Sequence, residues 1–425
     1  MTAGGAGAGD PVAFTMVFYC QRHCYDTKYT TKVVSCKPAK LDTLVDGKKK
    51  KIACYEVTFE DTILFPEGGG QPDDRGTVGG VAVLRVVRRG GEAVHYLAEA
   101  LEEGATITQE VDWTRRHDHM QQHSGQHLIT AVADDLYGYA TTSWYLAEAV
   151  SHIELDTDKV TEEEMAKIEE IANQKIREAT PVSIVEYEAS DPKLKEIRTR
   201  GLPEDVVGPV RVVTIKGVDA NMCCGTHVRN LADLQAVKLL HTEKGKGGRI
   251  LLFFVAGSRL LRYFGECVGR ERQLNTLLHS CPADHIRLVE KNQKDLKTCQ
   301  KSLREAFKDL AVCEAKAFLA QEPRPPVFFH HRRDGDSDYL SVIINEINDE
   351  SVLKVLTAGE DKGPGTLVVH GPPTLVAQVG PRVCEILEGR GGGKTRFSGK
   401  VTRLGKRKEA EKYVLAVMDS SVTES

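Results

Sequence analysis

The chain has 425 residues and a formal net charge of −4, with 41% hydrophobic and 28% charged residues. This length predicts two to four domains. The charge balance excludes a global field that attracts nucleic acid, so RNA binding would need local basic patches. No apolar run is long enough to span a bilayer, and eleven cysteines without a secretory signal do not indicate a disulfide framework. We expect a cytoplasmic protein that binds neither membranes nor DNA.

The first part of the chain is predicted to be a flexible leader, residues 1–15, followed by a β-rich, barrel-like domain, residues 16–112. Short β-branched segments predict strands at Lys32–Cys36, Lys51–Glu60 and Val81–Arg89. A glycine-rich loop, Phe65–Gly76, follows the second of these segments. Its three consecutive glycines permit unusual backbone angles and close approach to a ligand. A loop that merely joins two strands explains them equally well.

The pattern becomes helical at Trp113, and residues 113–265 are predicted as an α+β domain with helices packed on a mostly antiparallel sheet. The first helix is expected to end at Gly138. A second begins after Thr161, where the TEEE segment is a capping box. Strands are predicted at Val182–Tyr187, Val210–Ile215, Ala236–His241 and Ile250–Ala256.

A helical linker is predicted over residues 266–322. Within residues 285–320, apolar side chains recur every seven residues, beginning with Val289, Leu296 and Leu303. This repeat is typical of a coiled coil or a helical hairpin. A single long amphipathic helix is the alternative that the pattern leaves open.

The last part, residues 323–425, is predicted as a small α/β domain that begins after the prolines at 323, 325 and 326. Strands are predicted at Val327–His330, Tyr339–Ile344, Thr366–His370 and Thr374–Gln378. Helices are predicted at Pro381–Leu387 and from about Glu409 to the end. Between them lies the segment Gly389–Lys400, with the sequence GRGGGKTRFSGK. Its glycines let backbone N–H groups approach phosphates while Lys394 and Arg396 supply charge, although a solvated basic tail is the alternative.

Two short clusters, HSGQH at 123–127 and CCGTH at 223–227, each offer two metal ligands four residues apart. Together they supply three imidazoles and one thiolate, which suits one tetrahedral Zn²⁺. They can share a metal only if the fold brings distant segments together. Ser124 stands where the zincin proteases need a glutamate as general base, so metalloprotease chemistry is excluded.

These two clusters and the glycine-rich loop, in this order and separation, resemble the editing module of alanyl-tRNA synthetase and the free-standing AlaX-type editing proteins. The similarity runs from about Tyr19 to Arg262. The resemblance assigns the zinc positions to His123, His127, Cys223 and His227. His119, on the same helix face, matches no ligand position and is expected at the rim of the site. Cys224 is a departure, because the family often has glycine there.

The resemblance also assigns a substrate-contacting loop, made of Glu67, Gly68, Gly69, Gly70 and Gln71, with Gln71 in a catalytic role. Thr62 matches a threonine implicated in recognising a serine side chain, and is a second catalytic candidate. The C-terminal segment more weakly resembles the tRNA-binding part of the same synthetase. This makes Lys394 and Arg396 candidate substrate contacts.

The resemblance implies an editing hydrolase that acts in trans with one zinc ion per chain, since no aminoacylation domain and no phosphate-binding P-loop motif is found. The expected substrate is chiefly Ser-tRNA(Ala), with Gly-tRNA(Ala) and Ser-tRNA(Thr) as further candidates, while Ala-tRNA(Ala) is spared. The expected partners are tRNA(Ala) and, as a second candidate, tRNA(Thr). The alternative is a non-catalytic, zinc-stabilised tRNA-binding or chaperone-associated protein.

Overall fold

The computed structural model describes residues 17–45, 48–188, 190–197 and 209–422. The predicted leader, residues 1–15, lies outside this part of the chain. The fold is a mixture of helices and several sheets, which confirms the α+β class. It divides into two compact units, residues 1–273 and 274–425. Among the described helices, none is long and apolar enough to cross a membrane.

The first unit begins with a short helix, α1 (Tyr19–Arg22), and a closed barrel in the strand order β1-β2-β5-β4-β3-β6. The barrel closes because β1 pairs with both β2 and β6. The three strands predicted for this region lie in β1, β2 and β4. The barrel strands are β1 (Lys28–Val45), β2 (Lys48–Phe59), β3 (Gly76–Val78), β4 (Val81–Arg89), β5 (Glu92–Leu97) and β6 (Thr106–Val111). The glycine-rich loop connects β2 to β3.

The central helix of the first unit is α2 (Trp113–Tyr137). The Asp112 side chain caps its N-terminus by accepting a hydrogen bond from the Arg115 N–H. The helix ends at Gly138, as predicted, because glycine adopts the left-handed conformation found there. The predicted capping box is also confirmed, since Thr161 and Glu164 bond each other's backbone N–H at the start of α3 (Glu162–Arg177).

Two antiparallel sheets accompany these helices, and both contain strands that the sequence predicted. The four-stranded sheet has the order β12-β13-β8-β7 and packs one face, including Ile153, Leu252 and Phe254, into the core around α2. The three-stranded sheet has the order β11-β10-β9. The strands are β7 (Thr141–Tyr145), β8 (Ser151–Leu155), β9 (Val182–Tyr187), β10 (Val210–Ile215), β11 (Asp219–Met222), β12 (Val237–Lys244) and β13 (Ile250–Ala256). Helix α4 (Ser258–Leu278) follows.

The predicted linker contains the end of α4 and then α5 (His285–Leu319), which is one unbroken helix, so a hairpin within the seven-residue repeat is wrong. Ala311, Ala315 and Phe318, near its C-terminal end, are buried in a core shared with α6. The second unit also contains a five-stranded sheet in the order β14-β15-β16-β18-β17. The remaining elements are β14 (Val327–Arg332), α6 (Ser337–Ile347), β15 (Leu353–Gly359), β16 (Gly365–His370), α7 (Pro373–Ile386), β17 (Arg390–Gly392), β18 (Arg396–Val401) and α8 (Arg407–Val422).

Two predicted strands of the second unit are wrong, because both segments are helical. Tyr339–Ile344 lies in α6, and Thr374–Gln378 lies in α7 together with the helix predicted from Pro381. Short β-branched runs do not distinguish a strand from a buried helix. In α7 the buried side chains recur at helical spacing, at Val376, Val379 and Val383.

Candidate metal centre

The fold brings the two predicted half-sites together. Helix α2 places His123 and His127 on one face, and the loop after β11 brings Cys223 and His227 against them. One potential ligand atom from each side chain lies within 4.8 Å of the other three. No other group of three or more potential ligands is found in the described part of the chain.

The geometry of this group fits zinc. Cys223 Sγ lies 3.2 Å from His123 Nε2 and 3.3 Å from His227 Nε2. A tetrahedral zinc with its usual bond lengths separates its nitrogen and sulfur ligands by roughly 3.5 Å. The Gly225 N–H also donates to Cys223 Sγ, over 3.4 Å, which favours the thiolate that a metal needs.

Gln71 orients His123. Its Oε1 accepts hydrogen bonds from the Thr226 N–H, at 3.0 Å, and from Nδ1–H of His123, at 2.9 Å. The proton on Nδ1 leaves Nε2 of His123 free to bind a metal. Gln71 is fully buried, and its Nε2 donates to Thr226 Oγ1, at 2.8 Å, so both of its polar atoms have protein partners. Gln71, for which a catalytic role was predicted, therefore contacts and orients the candidate ligand His123.

Ser124 contacts the Nδ1 atom of His227, as Gln71 contacts that of His123. Its Oγ lies 3.1 Å from His227 Nδ1 and accepts the Val228 N–H at 3.1 Å. If Nδ1 carries the proton, Nε2 of His227 faces Cys223 as a ligand. Sequence reasoning used Ser124 only to exclude a protease and missed this role. The available signal was its position, directly after the first histidine of the HSGQH cluster.

The surroundings favour the neutral form of two of the three imidazoles. Burial, the neighbouring histidines and the Arg211 guanidinium lower the pKa of His123 and of His227 well below the usual value. A neutral imidazole is the form that binds metal. Arg211, which sequence reasoning also missed, is buried and donates to Cys223 O at 2.8 Å and Gly225 O at 2.6 Å. It thereby fixes the loop that carries half of the ligands.

The glycine-rich loop lies against the same group. Gly69 and Gly70 have left-handed backbone angles, with φ of 62° and 82°. A Cβ on Gly70 would stand 2.5 Å from Nε1 of Trp144, whose ring centroid lies 4.6 Å from that of His123. Nε1 of Trp144 donates to Gly69 O at 3.2 Å. The loop therefore does more than join two strands. Because Gly70 has no side chain, the Trp144 ring can pack between the loop and His123.

Glu67 and Gly68 also belong to this loop. The carboxylate of Glu67 is exposed and pairs with Arg85 at 2.9 Å. Gly68 forms an isolated bridge with Gln71, through hydrogen bonds in both directions. The loop backbone is thus fixed at the residue that orients His123.

A buried ion pair joins this loop to α2. Arg116 and Asp74 are both fully buried, and Nε of Arg116 donates to Asp74 Oδ2 at 2.9 Å. Arg116 also donates to Ile63 O at 2.6 Å, while the Phe65 N–H donates to Asp74 at 2.7 Å. The helix that supplies two ligands and the loop that covers them are therefore held by one guanidinium.

Cys224 and His119 lie next to the ligand group in sequence but outside it in the structure. Cys224 is exposed and is not among the four clustered ligands, while its neighbour Cys223 is. A Cβ on Gly69 would approach the Cys224 thiol to 2.7 Å, so Cys224 lies over the glycine-rich loop. His119 also lies outside the ligand group, but it is 4% exposed. It is therefore buried in the core of the site and not at its rim.

Thr62 lies inside the barrel. Its Oγ1 accepts the Leu64 N–H at 3.0 Å and lies 2.9 Å from His95 Nε2 and 3.1 Å from Gln109 Oε1. Burial lowers the pKa of His95 to about 4, so the imidazole is neutral. A substrate hydroxyl could reach Thr62 Oγ1 only by replacing one of these partners. Neither His95 nor Gln109 was found from the sequence.

Lys394 and Arg396 belong to the second unit. Lys394 is exposed beside the β17–β18 hairpin, and Arg396 is exposed and donates to Ser341 Oγ at 2.9 Å. The hairpin lines an open pocket of about 700 Å³, together with Pro381 and Phe397. The basic side chains and the exposed backbone are thus on one hairpin.

Comparison with known proteins extends this description. The family described as threonyl and alanyl tRNA synthetase second additional domain matches residues 210–250, which include the CCGTH cluster. The alanyl-tRNA editing protein Aarsd1-B of Xenopus laevis is 50% identical over 406 residues, covering 95% of this chain and 98% of that protein. Aarsd1 of Mus musculus is 50% identical over 398 residues, 93% and 97% of the two chains. A putative alanyl-tRNA editing protein, alaX, of Saccharomyces cerevisiae is 27% identical over 431 residues, 91% and 93% of the two chains.

The site and these matches define the class first: a protein with a His₃Cys group of which Cys223 and His227 lie in the match to the additional domain of threonyl- and alanyl-tRNA synthetases. The near-complete coverage of both chains then decides the family. The chain belongs to the alanyl-tRNA editing proteins. The resemblance drawn from the sequence motifs is confirmed.

Proposed function

We propose that this chain is a zinc-dependent deacylase that acts in trans on mischarged tRNA, chiefly Ser-tRNA(Ala), and leaves Ala-tRNA(Ala) intact. The supporting observation is the buried His₃Cys group whose imidazoles are oriented by Gln71 and Ser124 beneath a glycine-rich loop. The near-full-length relatives named as alanyl-tRNA editing proteins support the same substrate class. Gly-tRNA(Ala) and Ser-tRNA(Thr) are further proposed substrates, and tRNA(Thr) a second partner.

His123, His127, Cys223 and His227 would hold the zinc ion, which when bound supplies a Lewis acid for the ester carbonyl and lowers the pKa of water. The protein's own contribution is positional. Gln71 and Ser124 keep the protons of two imidazoles on Nδ1, so that Nε2 faces the centre of the site. Gly70 leaves room for the Trp144 ring and Gly69 leaves room for the Cys224 thiol, and we place the esterified end of the tRNA beside this loop.

Selectivity for serine over alanine needs a polar contact, because a site large enough for serine always admits alanine. A site that bonds the substrate hydroxyl leaves its own polar groups unpaired with alanine, and this discriminates strongly. We propose Thr62 as the residue that sets this preference, with the serine hydroxyl replacing His95 or Gln109 as a partner of Thr62 Oγ1. Replacement of Thr62 by valine should reduce the Ser/Ala ratio of kcat/KM, while serine at this position should keep it.

Binding of the tRNA body is proposed for the exposed hairpin of the second unit. Lys394 and Arg396 would neutralise backbone phosphates, and the glycines of β17 leave backbone N–H groups accessible.

The decisive experiment is a deacylation panel with Ser-, Gly- and Ala-tRNA(Ala) beside Ser-tRNA(Thr). We expect rapid loss of serine from tRNA(Ala), no loss of alanine, and loss of activity after chelation that zinc restores. Joint replacement of His123 and His127 by alanine should abolish both bound zinc and hydrolysis. His117→Ala on the same helix should change neither, because His117 stacks on Trp113 and lies outside the ligand group.

The panel also tests the competing hypothesis of a zinc-stabilised tRNA-binding protein without catalysis. If zinc and tRNA bind to the wild-type chain and Ser-tRNA(Ala) nevertheless survives incubation, the deacylase proposal is wrong.

A further inference from the structure

One face of the four-stranded sheet carries a row of rings, with one ring from each strand. Tyr145 on β7 pairs with His152 on β8, His152 pairs with Phe253 on β13, and Phe253 pairs with His241 on β12. The ring centroids are 5.7, 5.1 and 4.6 Å apart along this row. It lies on the face opposite the core that packs on α2.

A contribution to sheet stability explains the inner rings of this row but not the ring of Tyr145 at the β7 end. Cross-strand pairs of rings stabilise a sheet, and His152 and Phe253 each have a ring on both sides. Tyr145 lies on β7, the last strand in the order β12-β13-β8-β7, and it is 60% exposed. One side of its ring therefore has no neighbouring strand. A large ring at such a position gives little burial.

The position of Tyr145 connects the row to the metal centre. The preceding residue, Trp144, points to the opposite face of β7, where its ring lies 4.6 Å from His123 and its Nε1 bonds Gly69 O. Two consecutive residues of one edge strand thus border the candidate site and begin the row of rings. An RNA strand that leaves the site past Trp144 would reach Tyr145 by crossing the edge strand β7 to its outer face.

We propose that Tyr145, supported by His152, Phe253 and His241, stacks on an unpaired base of the RNA whose 3′ end enters the metal centre. The proposal rests on the proposed function, since it names a contact to the same substrate. Single-stranded RNA is bound through stacking on aromatic rings combined with nearby positive charge. Lys244 and Lys246 are exposed at the β12–β13 turn, on the His241 side of the sheet, where they add positive charge at that end of the row, next to the pair of His241 and Glu243. A protein partner would instead favour a continuous apolar surface, and two of these four rings are imidazoles.

The test compares Tyr145→Ala and Tyr145→Phe in the full-length chain. The first measurement is the dissociation constant for deacylated tRNA(Ala), with its 3′ single-stranded end either intact or enzymatically removed. We expect Tyr145→Ala to weaken binding of the intact tRNA by about 10-fold, the order of one exposed base stack, and to leave binding of the trimmed tRNA unchanged. Tyr145→Phe should bind both RNAs like the wild type, because the ring face is retained.

A second set of measurements separates stacking from structure. The KM for Ser-tRNA(Ala) should rise in Tyr145→Ala with little change in kcat and in the melting temperature. Tyr137→Ala removes another exposed ring of the same unit, outside the row, and should have no effect on binding. Equal binding of both tRNAs by Tyr145→Ala and the wild type would overturn the proposal. So would an equal loss for intact and trimmed tRNA, or loss of self-association in Tyr145→Ala without a change in RNA affinity. The dissociation constants are measured without hydrolysis, so a wild type that binds tRNA but does not deacylate it would refute only the proposed function.

Discussion

The glycine-rich loop Phe65–Gly76 and the glycine-rich hairpin segment Gly389–Lys400 look alike in the sequence, but their glycines have different physical causes. In the loop, a Cβ on Gly70 would collide with Trp144 beside the ligand His123. In the hairpin, a Cβ on Gly393 would stand 1.9 Å from Arg396 O, on the neighbouring strand. The loop needs glycine because side chains of the site lie close to it. The hairpin needs glycine because the backbone of its own second strand lies close. A run of glycines alone does not distinguish a site from a tight turn.

The two segments also differ in how they are fixed. The loop is joined to α2 by the fully buried pair of Arg116 and Asp74. The hairpin lies next to Glu388, whose partners Arg403 and Lys406 are about half exposed. Buried and exposed ion pairs differ strongly in what their loss costs, so the comparison can be tested by substitution.

The largest effect is expected from Arg116→Ala, which leaves the Asp74 carboxylate buried without a cation. Such a change costs about 3–5 kcal/mol of the free energy of unfolding, because an isolated buried charge is not solvated. Arg403→Ala should cost at most about 1 kcal/mol, as is usual for exposed pairs. Urea denaturation of both variants measures the difference. Equal losses in the free energy of unfolding would show that the buried ion pair of the loop contributes no more to stability than the exposed pair near the hairpin.

A second prediction concerns the residue that orients His123. Gln71→Ala should weaken zinc binding by about 10- to 100-fold, the usual effect of removing a hydrogen-bond partner of a ligating histidine. Zinc competition with a chromophoric chelator measures this affinity. Glu67→Ala changes an exposed carboxylate of the same loop and should leave zinc affinity unaltered. If both variants keep wild-type affinity, Gln71 does not position the ligand.

Glycine substitutions compare the two segments directly. Gly70→Ala forces a non-glycine residue into a left-handed conformation, at a cost of at least about 1–2 kcal/mol, and pushes on Trp144. We expect lower stability and lower deacylation. Gly392→Ala is the control, because no atom lies within 4 Å of its Cβ position. Its melting temperature should match that of the wild type, and a similar loss in both variants would show that the contact with Trp144 is not what makes Gly70 sensitive.

The smallest effect is expected from the basic residues of the hairpin. Lys394→Ala should weaken tRNA binding uniformly across tRNA sequences and reduce the slope of log affinity against log salt by about 1. Arg396→Ala should act in the same way, with an added loss from the Ser341 contact. Titrations at several salt concentrations measure the slope. An unchanged slope would remove the hairpin from the RNA-binding surface.

Local patterns in the sequence were sufficient for several elements. The capping box at Thr161, the end of α2 at Gly138 and the helical spacing of His123 and His127 depend on neighbouring residues, and all three are found in the structure. The same local reasoning failed for α6 and α7, because apolar β-branched runs of five or six residues suit a buried helix as well as a strand.

What the sequence by itself determined is the set of candidate metal ligands, since residue type, the four-residue spacing and the family resemblance together select four side chains that could hold a metal. Only the tertiary structure decided what surrounds them. Gln71 and Ser124 orient His123 and His227 from 52 and 103 residues away. Thr62 is enclosed by His95 and Gln109, which other barrel strands contribute. Such partners are set by barrel closure and by the packing of α2, and neither leaves a periodic signal along the chain.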